Sequence, residues 1–354
     1  MGSMGIGGYY EADYSNDCDS IKRLSIAFDN GLTFIDTAEI YGAGHSEELI
    51  GKAIAGRREE IIVASKFSPE NSRKDDVINA AHNSLRRLNT EYIDLYQTHW
   101  PNPSVAFEET MEGIKSLFDQ GLIRYFGLSN ATKKQIDLAE KTLEQGSFIS
   151  IQQAFNLSDR FSEKHFLPNC QANDRIMISY SPLMEGKLLP TDKRKDEFAK
   201  ISQDTGLSIS QLILSWILSH DNVVVIPKAT SPKHLESNIK AVEFELPADL
   251  AKKISDLYQE EIIEIHPDQI QVKGFRDKIM YTSIQEALEN KRNMSPSPKE
   301  LSDDFLMNEP FRPVKLKKVK DPVKPYMLTE GALRYWAWNI AFRGKKRIKS
   351  VITE

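Results

Sequence analysis

Residues 31–42 read GLTFIDTAEIYG, an apolar run that ends in the ionisable residue Asp36 and continues into a loop carrying Tyr41. The same rhythm repeats through residues 1–258, where a short apolar run, a polar turn and an amphipathic stretch follow one another. The apolar runs are Thr33–Asp36, Ile61–Lys66, Ile93–Thr98, Arg124–Leu128, Phe148–Gln152, Ile176–Tyr180 and Val223–Ile226. Strands that alternate with helices predict a parallel sheet whose strands are joined by crossover helices.

The number of strands favours a closed barrel. An eighth strand, which would come first in the chain, is represented only by the short segment Met1–Ile6. Eight strand–helix units that close on themselves form a (β/α)8 TIM barrel, here with a shortened first strand. A doubly wound parallel sheet is the alternative with the same rhythm. In a barrel, the chemistry lies at the C-terminal ends of the strands and in the loops that follow them.

The C-terminal quarter of the chain has a different pattern. Two apolar segments flank a turn at His266–Pro267, a helical pattern covers Ser283–Asn290, and Leu328–Thr353 has the order strand, turn, helix, strand. Several prolines between these segments argue against one continuous barrel helix. We therefore predict two domains, a barrel of residues 1–258 and a small α+β domain of residues 259–354.

The composition is that of an ordinary globular protein, with 46 Lys and Arg residues, 51 Asp and Glu residues and a net charge of −5. Such a chain has no overall positive field that would attract nucleic acid or anionic lipid. No apolar run approaches the roughly 18 residues of a membrane span. Cys18 and Cys170 lie in no metal-binding or disulfide pattern, and no secretory signal is recognised, so we expect a cytoplasmic protein.

Four residues suited to carbonyl chemistry, Asp36, Tyr41, Lys66 and His99, lie at or just after successive strand ends. A tyrosine hydroxyl has an ordinary pKa of about 10, and a neighbouring ammonium lowers it by favouring the phenolate. A carboxylate keeps the lysine charged, and a neutral imidazole can hydrogen-bond a substrate oxygen. Such groups together protonate the alkoxide that forms when a hydride reaches a carbonyl carbon. Each residue alone has a structural explanation, but their joint occurrence favours catalysis.

Residues 31–42 resemble the signature G-x-x-x-x-D-T-A-x-x-Y-G of the aldo-keto reductase family, and His45–Glu47 and Gly51 continue the match. The resemblance extends from Gly5 to about Tyr258. It implies a barrel enzyme that reduces an aldehyde or ketone to an alcohol with a nicotinamide cofactor. The resemblance implies that Tyr41 is the general acid, that Lys66 and Asp36 tune the pKa of Tyr41, and that His99 orients the substrate.

The resemblance also implies a cofactor site across the top of the barrel, without a Rossmann fold. Ser129, Asn130 and Gln152 resemble the residues that hold the carboxamide, and their donors and acceptors suit an amide. Tyr180 resembles the aromatic residue that stacks on the nicotinamide ring. The residues that resemble the loop over the pyrophosphate are Ser181, Leu183, Gly186 and Leu188.

The segment Ile226–Ser231 reads IPKATS and precedes a predicted helix. In the family the lysine of this segment, here Lys228, and nearby hydroxyls such as Thr230 hold the 2′-phosphate of NADP. A cation beside a helix N-terminus suits a phosphate. Many members carry Arg where this chain has His234, and Asn238 is expected to face the adenine. We expect NADP(H) as the cofactor, with NAD the less favoured alternative.

The beginning of the sequence departs from the family. Members usually carry a hairpin that plugs the barrel floor and then a full first strand, whereas Gly2–Gly8 resembles only the end of that strand. We expect apolar side chains to be exposed at the floor and the stability to be reduced. The substrate itself is not readable, but Trp100, next to His99, is expected to form an apolar wall of its pocket.

The last domain resembles the ParB/sulfiredoxin-like fold in two segments, IIEIHPDQIQV at 262–272 and LTEGALRYWAW at 328–338. The turn that carries Arg334 is expected to be able to hold a phosphate. Ala332 stands where sulfiredoxins place a reactive cysteine, so their chemistry is not expected. Basic runs at Lys315–Lys320 and Arg343–Lys349 fit a nucleotide or nucleic-acid partner loosely, but a solvated lysine surface is the favoured explanation.

The sequence therefore leaves two functions as alternatives. One is an NADP(H)-dependent oxidoreductase that acts on a small-molecule carbonyl substrate. The alternative is a cofactor-binding redox sensor or regulatory protein with little turnover, whose last domain binds nucleotide or nucleic acid. The intact set of four catalytic residue types favours the enzyme.

Overall fold

The computed structural model describes residues 1–187, 194–229, 231–272, 281–292, 294 and 296–353. The chain divides into two compact units, Met1–Tyr258 and Gln259–Glu354. Among the described residues, no helix is both long and apolar enough to cross a membrane. The same residues contain no cluster of His, Cys, Asp or Glu side chains suited to a metal ion.

The described residues of the first unit form seven parallel strands that pair in sequence order. They are β1 Phe34–Asp36, β2 Ile62–Phe67, β3 Ile93–Thr98, β4 Ile123–Ser129, β5 Phe148–Ala154, β6 Ile176–Tyr180 and β7 Val223–Val225. A doubly wound sheet would change direction at its first strand, so the strictly sequential order shows that this alternative is wrong.

The helices of the first unit connect the strands and supply most of its core. They are α1 Asp17–Asp29, α2 His45–Ala53, α3 Lys74–Leu88, α4 Phe107–Asp119, α5 Lys133–Thr142, α6 Phe161–His165, α7 Leu167–Ala172, α8 Arg194–Thr205, α9 Ile209–Leu218, α10 Pro232–Glu243 and α11 Ala248–Leu257. The larger core joins apolar residues of strands and helices. A second cluster, formed by Ala64, Leu95, Ile178 and Ile226, lies inside the barrel. The predicted (β/α)8 fold is thus confirmed.

Residues 1–3 occupy the position of the eighth strand. Gly2 pairs with Asp36 of β1 in a parallel bridge, while its N–H donates to the Pro227 carbonyl, 3.2 Å away, just after β7. The expected strand over residues 1–6 is therefore reduced to one bridge. Gly5 and Gly7, both at positive φ, turn the chain away immediately afterwards. The barrel is closed, but only near the C-terminal ends of its strands.

Among the described residues, apolar side chains are exposed at the barrel floor, as expected from the sequence. Ile62, Tyr125 and Ile176 are 48%, 43% and 38% exposed. Each lies four residues before an inward-facing residue of the same strand, namely Lys66, Ser129 or Tyr180, so each points inward as well. Whether this exposure lowers the stability stays a prediction.

In the second unit, the part of the chain that the structure describes forms a five-stranded mixed sheet with the order β8-β12-β10-β11-β9. Its elements are β8 Ile262–Ile265, β9 Ile270–Gln271, α12 Ile284–Leu288, α13 Pro298–Leu306, β10 Val314–Lys318, β11 Tyr326–Glu330, α14 Ala332–Phe342 and β12 Ile348–Ile352. β10 and β12 run parallel. Residues 343–347, before β12, therefore lie at the opposite end of the sheet from residues 319–320, after β10. Lys315, however, pairs with Val351 of β12, two residues from Lys349, so the two basic runs approach each other at the start of these strands.

Candidate active site

A cavity of about 720 Å³ lies at the C-terminal ends of the barrel strands. Most of the residues that the sequence predicts for the site line it: Asp36, Tyr41, His99, Trp100, Ser129, Asn130, Gln152, Tyr180, Ser181, Leu183, Gly186, Ile226, Lys228, His234 and Asn238. Lys66 reaches the cavity through its partner Asp36. Leu188 and Thr230 lie outside the described residues.

A fully buried ion pair forms the base of the site. Lys66 Nζ lies 2.5 Å from Asp36 Oδ1 and also donates to the Thr37 carbonyl at 2.9 Å. Burial is the largest influence and alone would lower the pKa of Lys66, but the charges and hydrogen bonds of Asp36 and Tyr41 together raise it above 10.5. The other carboxylate oxygen accepts a hydrogen bond from Gln152 Nε2 at 2.8 Å. Lys66 is therefore held as a cation in a fixed position.

Tyr41 is buried beside this pair. Lys66 Nζ lies 5.4 Å from the centroid of the Tyr41 ring. Burial raises the pKa of Tyr41 above 10, and the Lys66 charge opposes this shift without cancelling it. The sequence-based expectation of a lowered pKa is therefore wrong for the protein alone, because burial disfavours the phenolate more than the ammonium favours it. Tyr41 is a protonated phenol at neutral pH.

The loop that carries Tyr41 cannot move freely. Gly42 has a φ of 56°, and a side chain built on it would place Cβ only 2.2 Å from the Gly7 carbonyl oxygen. The Gly42 N–H also donates to the Tyr9 carbonyl at 2.8 Å. Only glycine combines this backbone conformation with so close an approach. The contact joins the Tyr41 loop to the segment before α1.

His99 faces Tyr41 edge-on, with 5.5 Å between the ring centroids, and stacks on Trp100 at 4.0 Å. Burial, with a smaller effect of the Lys66 charge, lowers the pKa of His99 to about 2. The imidazole is therefore neutral at any pH at which the protein would be assayed. Its buried Nδ1 has no hydrogen-bond partner among the described residues.

Two of the predicted carboxamide-binding residues make contacts that the sequence does not reveal. The Tyr180 hydroxyl donates to Asn130 Oδ1 at 2.7 Å, while Asn130 Nδ2 donates to the His99 carbonyl at 3.0 Å. Gln152 uses its Nε2 to hold Asp36. The amide groups are thereby oriented before any ligand binds. Asn130 Nδ2 also donates to the hydroxyl of Ser129 at 3.1 Å, and Ser129 is buried at the cavity wall.

The opposite end of the cavity contains Lys228, His234 and Asn238. His234 lies in the first turn of α10, where its N–H donates to the Ser231 side chain at 3.2 Å. Lys228 Nζ donates to the hydroxyl of Tyr9 at 3.3 Å. Sequence reasoning missed Tyr9, Tyr10, Met4 and Gln97 as site residues, because nothing local in the sequence indicates contacts across the barrel.

His45 anchors the segment before α1. Its ring lies between Asp17 Oδ1 and Glu48 Oε2, each 2.8 Å from a ring nitrogen, and packs against Tyr14 with centroids 4.2 Å apart. Burial alone would lower the pKa of His45, but the hydrogen bonds and charges of the two carboxylates outweigh it and raise the pKa above 6.5. The charged imidazolium thus ties α1, α2 and the preceding segment together.

This contact predicts a pH-dependent stability. Because the folded-state pKa is raised, the stabilisation is complete below the unfolded value of 6.5 and is lost as the pH rises through the folded value. His45→Gln is expected to remove this pH-dependent loss of stability. Below pH 6.5 the variant should have a free energy of unfolding lower by only about 1 kcal/mol, because both carboxylates are partly exposed. Urea unfolding at several pH values measures it, with His82→Gln on the exposed face of α3 as the control. An unchanged pH dependence in His45→Gln would contradict the assignment.

Taken together, the closed barrel and its buried acid–base set define an enzyme of the (β/α)8 class with an acid–base site at the top of the barrel. The family model described as Aldo/keto reductase family matches residues 1–259. This chain therefore belongs to the aldo/keto reductase family.

Curated relatives and solved structures agree with this assignment. The methylglyoxal reductase YeaE of Escherichia coli (strain K12) is 36% identical over 246 residues, which cover 69% of this chain and 86% of the relative. A crystal structure of the thermostable aldo-keto reductase Tm1743 with the inhibitor epalrestat has 41% identity and a TM-score of 0.69, covering 73% of this chain and 93% of that one. An aldo/keto reductase of Klebsiella pneumoniae, solved with NADP and acetate, has 31% identity and a TM-score of 0.68, covering 73% and 90%.

Proposed function

We propose that this protein is an NADPH-dependent oxidoreductase that reduces an aldehyde or ketone to an alcohol. The observation that carries the proposal is the buried Lys66–Asp36 pair beside the protonated Tyr41 and the neutral His99. Family membership and the NADP bound to the Klebsiella relative support it. The alternative of a redox sensor with little turnover has no support in these observations.

Each residue of the set has a distinct role in this proposal. Bound NADPH supplies the hydride. His99, being neutral, hydrogen-bonds the carbonyl oxygen and directs it towards Tyr41. Tyr41 donates its proton to that oxygen as negative charge develops there. Lys66 stabilises the resulting phenolate, and Asp36 holds Lys66 in place.

The cavity fits a dinucleotide in size and in the distribution of its polar groups. A volume of about 720 Å³ is within the usual range for cofactor sites, roughly 300–1,000 Å³. Ser129, Asn130 and Gln152, with Tyr180, are proposed for the nicotinamide end. The middle of the cofactor is proposed to contact Ser181, Leu183, Gly186 and Leu188. Its phosphate and adenine end is proposed to contact Ile226, Lys228, Thr230, His234 and Asn238. Lys228 supports NADP over NAD.

The proposed substrate is a short carbonyl compound such as a 2-oxoaldehyde. The similarity to the methylglyoxal reductase of Escherichia coli supports this class. Trp100, stacked on His99 and 42% exposed, supplies an apolar wall next to the reacting position. A short substrate would place one carbonyl at His99 and Tyr41 and the rest of its body against Trp100.

Two further assignments are proposals with weaker support. A cytoplasmic location is consistent with two cysteines that form no disulfide. A nucleotide or nucleic-acid partner of residues 259–354 is supported by 18 Lys and Arg residues against 14 Asp and Glu residues there. The ParB/sulfiredoxin-like assignment of this unit stays a prediction.

The proposed function is tested on the purified full chain in two steps. Fluorescence titration with NADPH and NADH measures cofactor binding, and NADPH consumption with methylglyoxal and longer aldehydes measures turnover. We expect tighter binding of NADPH and the highest kcat/KM with methylglyoxal. Cofactor binding without turnover of any carbonyl would contradict the enzyme, and faster turnover of long aldehydes would contradict the substrate class.

A further inference from the structure

The segment before α1 reaches the phosphate end of the cavity through Tyr9. The Tyr9 hydroxyl accepts a hydrogen bond from Lys228 Nζ at 3.3 Å, and the same ammonium lies 4.8 Å from the centroid of the Tyr9 ring. Both residues line the cavity and both are exposed to it. Two polar atoms this close together can bind the same oxygen-rich ligand.

Gly5 explains why this pair can form. A Cβ atom built on Gly5 would lie 2.5 Å from Lys228 Nζ and 3.2 Å from Cζ of Tyr9. The φ of Gly5 is +84°, a conformation that other residues rarely adopt. The missing side chain therefore leaves the space in which the ammonium and the phenol ring meet.

The backbone of Tyr9 is held in place on the side away from the cavity. Its carbonyl accepts the N–H of Gly42 at 2.8 Å, and the carbonyl of Gly7 accepts the N–H of Asp13 at 2.9 Å. His45 then ties the following residues to α2 through Asp17. The Tyr9 hydroxyl is thus presented by an anchored segment, which reduces the entropy lost when it binds a ligand.

The phosphate end is poor in cations. Among the described residues that line the cavity, Lys228 is the only lysine or arginine. A phosphate monoester carries a charge of about −1.5 to −2 at neutral pH and three acceptor oxygens. One ammonium does not neutralise such a group, and three acceptor oxygens can take donors beyond Lys228 and the hydroxyls proposed above. The Tyr9 hydroxyl, next to Lys228, is in a position to be one of them.

We propose that Tyr9 donates a hydrogen bond to the phosphate monoester that Lys228 binds, and that it thereby contributes to the preference for NADPH over NADH. The hydroxyl, which accepts from Lys228 in the structure described here, is still able to donate its own proton to a phosphate oxygen. This inference rests on the proposed cofactor site, but it does not require that any carbonyl is turned over. The ligand chemistry is a 2′-phosphate on a ribose.

The test compares 2′,5′-ADP with 5′-ADP, which differ only in the 2′-phosphate, by calorimetric titration of the full chain. Tyr9→Phe keeps the ring over Lys228 and removes only the hydroxyl. A hydrogen bond to a charged group predicts that this variant binds 2′,5′-ADP about ten- to a hundredfold more weakly. Its affinity for 5′-ADP should not change. Tyr14→Phe, on the same segment but outside the cavity lining, is the matched control and should bind both ligands as the unmodified chain does.

The outcomes separate this inference from the proposed function. Unchanged binding of 2′,5′-ADP by Tyr9→Phe would overturn the role of Tyr9. Tighter binding would also overturn it, because Tyr9 would then compete with the phosphate for Lys228. An equal loss for both ligands would also overturn it, since the effect would not concern the 2′-phosphate. A selective loss in a protein that reduces no carbonyl would support the role of Tyr9 while the proposed enzyme activity fails.

Discussion

Replacing Tyr41 with Phe is expected to reduce kcat by about 10²–10⁴-fold, which is the usual contribution of a positioned general acid. The variant keeps the buried ring and its edge-on contact with His99, at 5.5 Å between centroids, and loses only the proton donor. The dissociation constant of NADPH should therefore change little. Stopped-flow measurement of NADPH oxidation under single-turnover conditions separates the chemical step from product release.

A second tyrosine provides the control for this experiment. Tyr96 is fully buried in β3 but does not line the cavity. Tyr96→Phe removes the same atom from a similarly buried ring without touching the site, so its kcat should equal that of the unmodified enzyme. Turnover that persists in Tyr41→Phe would refute the role of Tyr41, whereas an equal loss in both variants would point to a general effect of disturbing the core.

Replacing Lys66 with Met is expected to lower the free energy of unfolding by about 3–5 kcal/mol, because Asp36 would remain as an unpaired buried charge. Lys66 Nζ lies 2.5 Å from Asp36 Oδ1 and both side chains are buried, so the carboxylate left behind would have little hydration. Turnover should also be lost, since nothing then stabilises the phenolate of Tyr41. Chemical denaturation measures the first effect and NADPH oxidation the second.

The double variant Lys66→Met with Asp36→Asn separates stability from catalysis. It removes both charges and keeps an oxygen at position 36 that Gln152 can still use as an acceptor. Most of the lost stability should return, because a buried pair can be replaced by neutral groups at little cost. Activity should not return. If the double variant is as unstable as Lys66→Met, the unpaired charge is not the cause, and if it recovers turnover, Lys66 has no catalytic role.

The barrel and much of the site could be predicted from the sequence because their signals are local. Each strand end carries its functional residue within a few positions of an apolar run, as with Asp36 in residues 31–42 and Lys66 in residues 61–66. The parallel order then brings these ends to one face without further information.

Other features of the site depend on pairs that are far apart in the chain. Gln152 bonds Asp36 across 116 residues, and Lys228 bonds Tyr9 across 219 residues. Neither pair has a pattern that a reader of the sequence could recognise, because each contact depends on how the closed barrel and the anchored segment before α1 place the side chains. The position of residues 1–3 between β1 and β7 is of the same kind.

The sequence by itself determined the alternation of strands and helices, and with it the barrel and the residue types at its top. Only the tertiary structure decided the pKa values of these residues. The pKa of Tyr41 is raised rather than lowered, and that of His99 falls to about 2, because both side chains are enclosed by residues from several strands and loops. Burial is a property of the assembled fold, and the free energy of removing a charge from water outweighs the single neighbouring ammonium that the sequence could indicate.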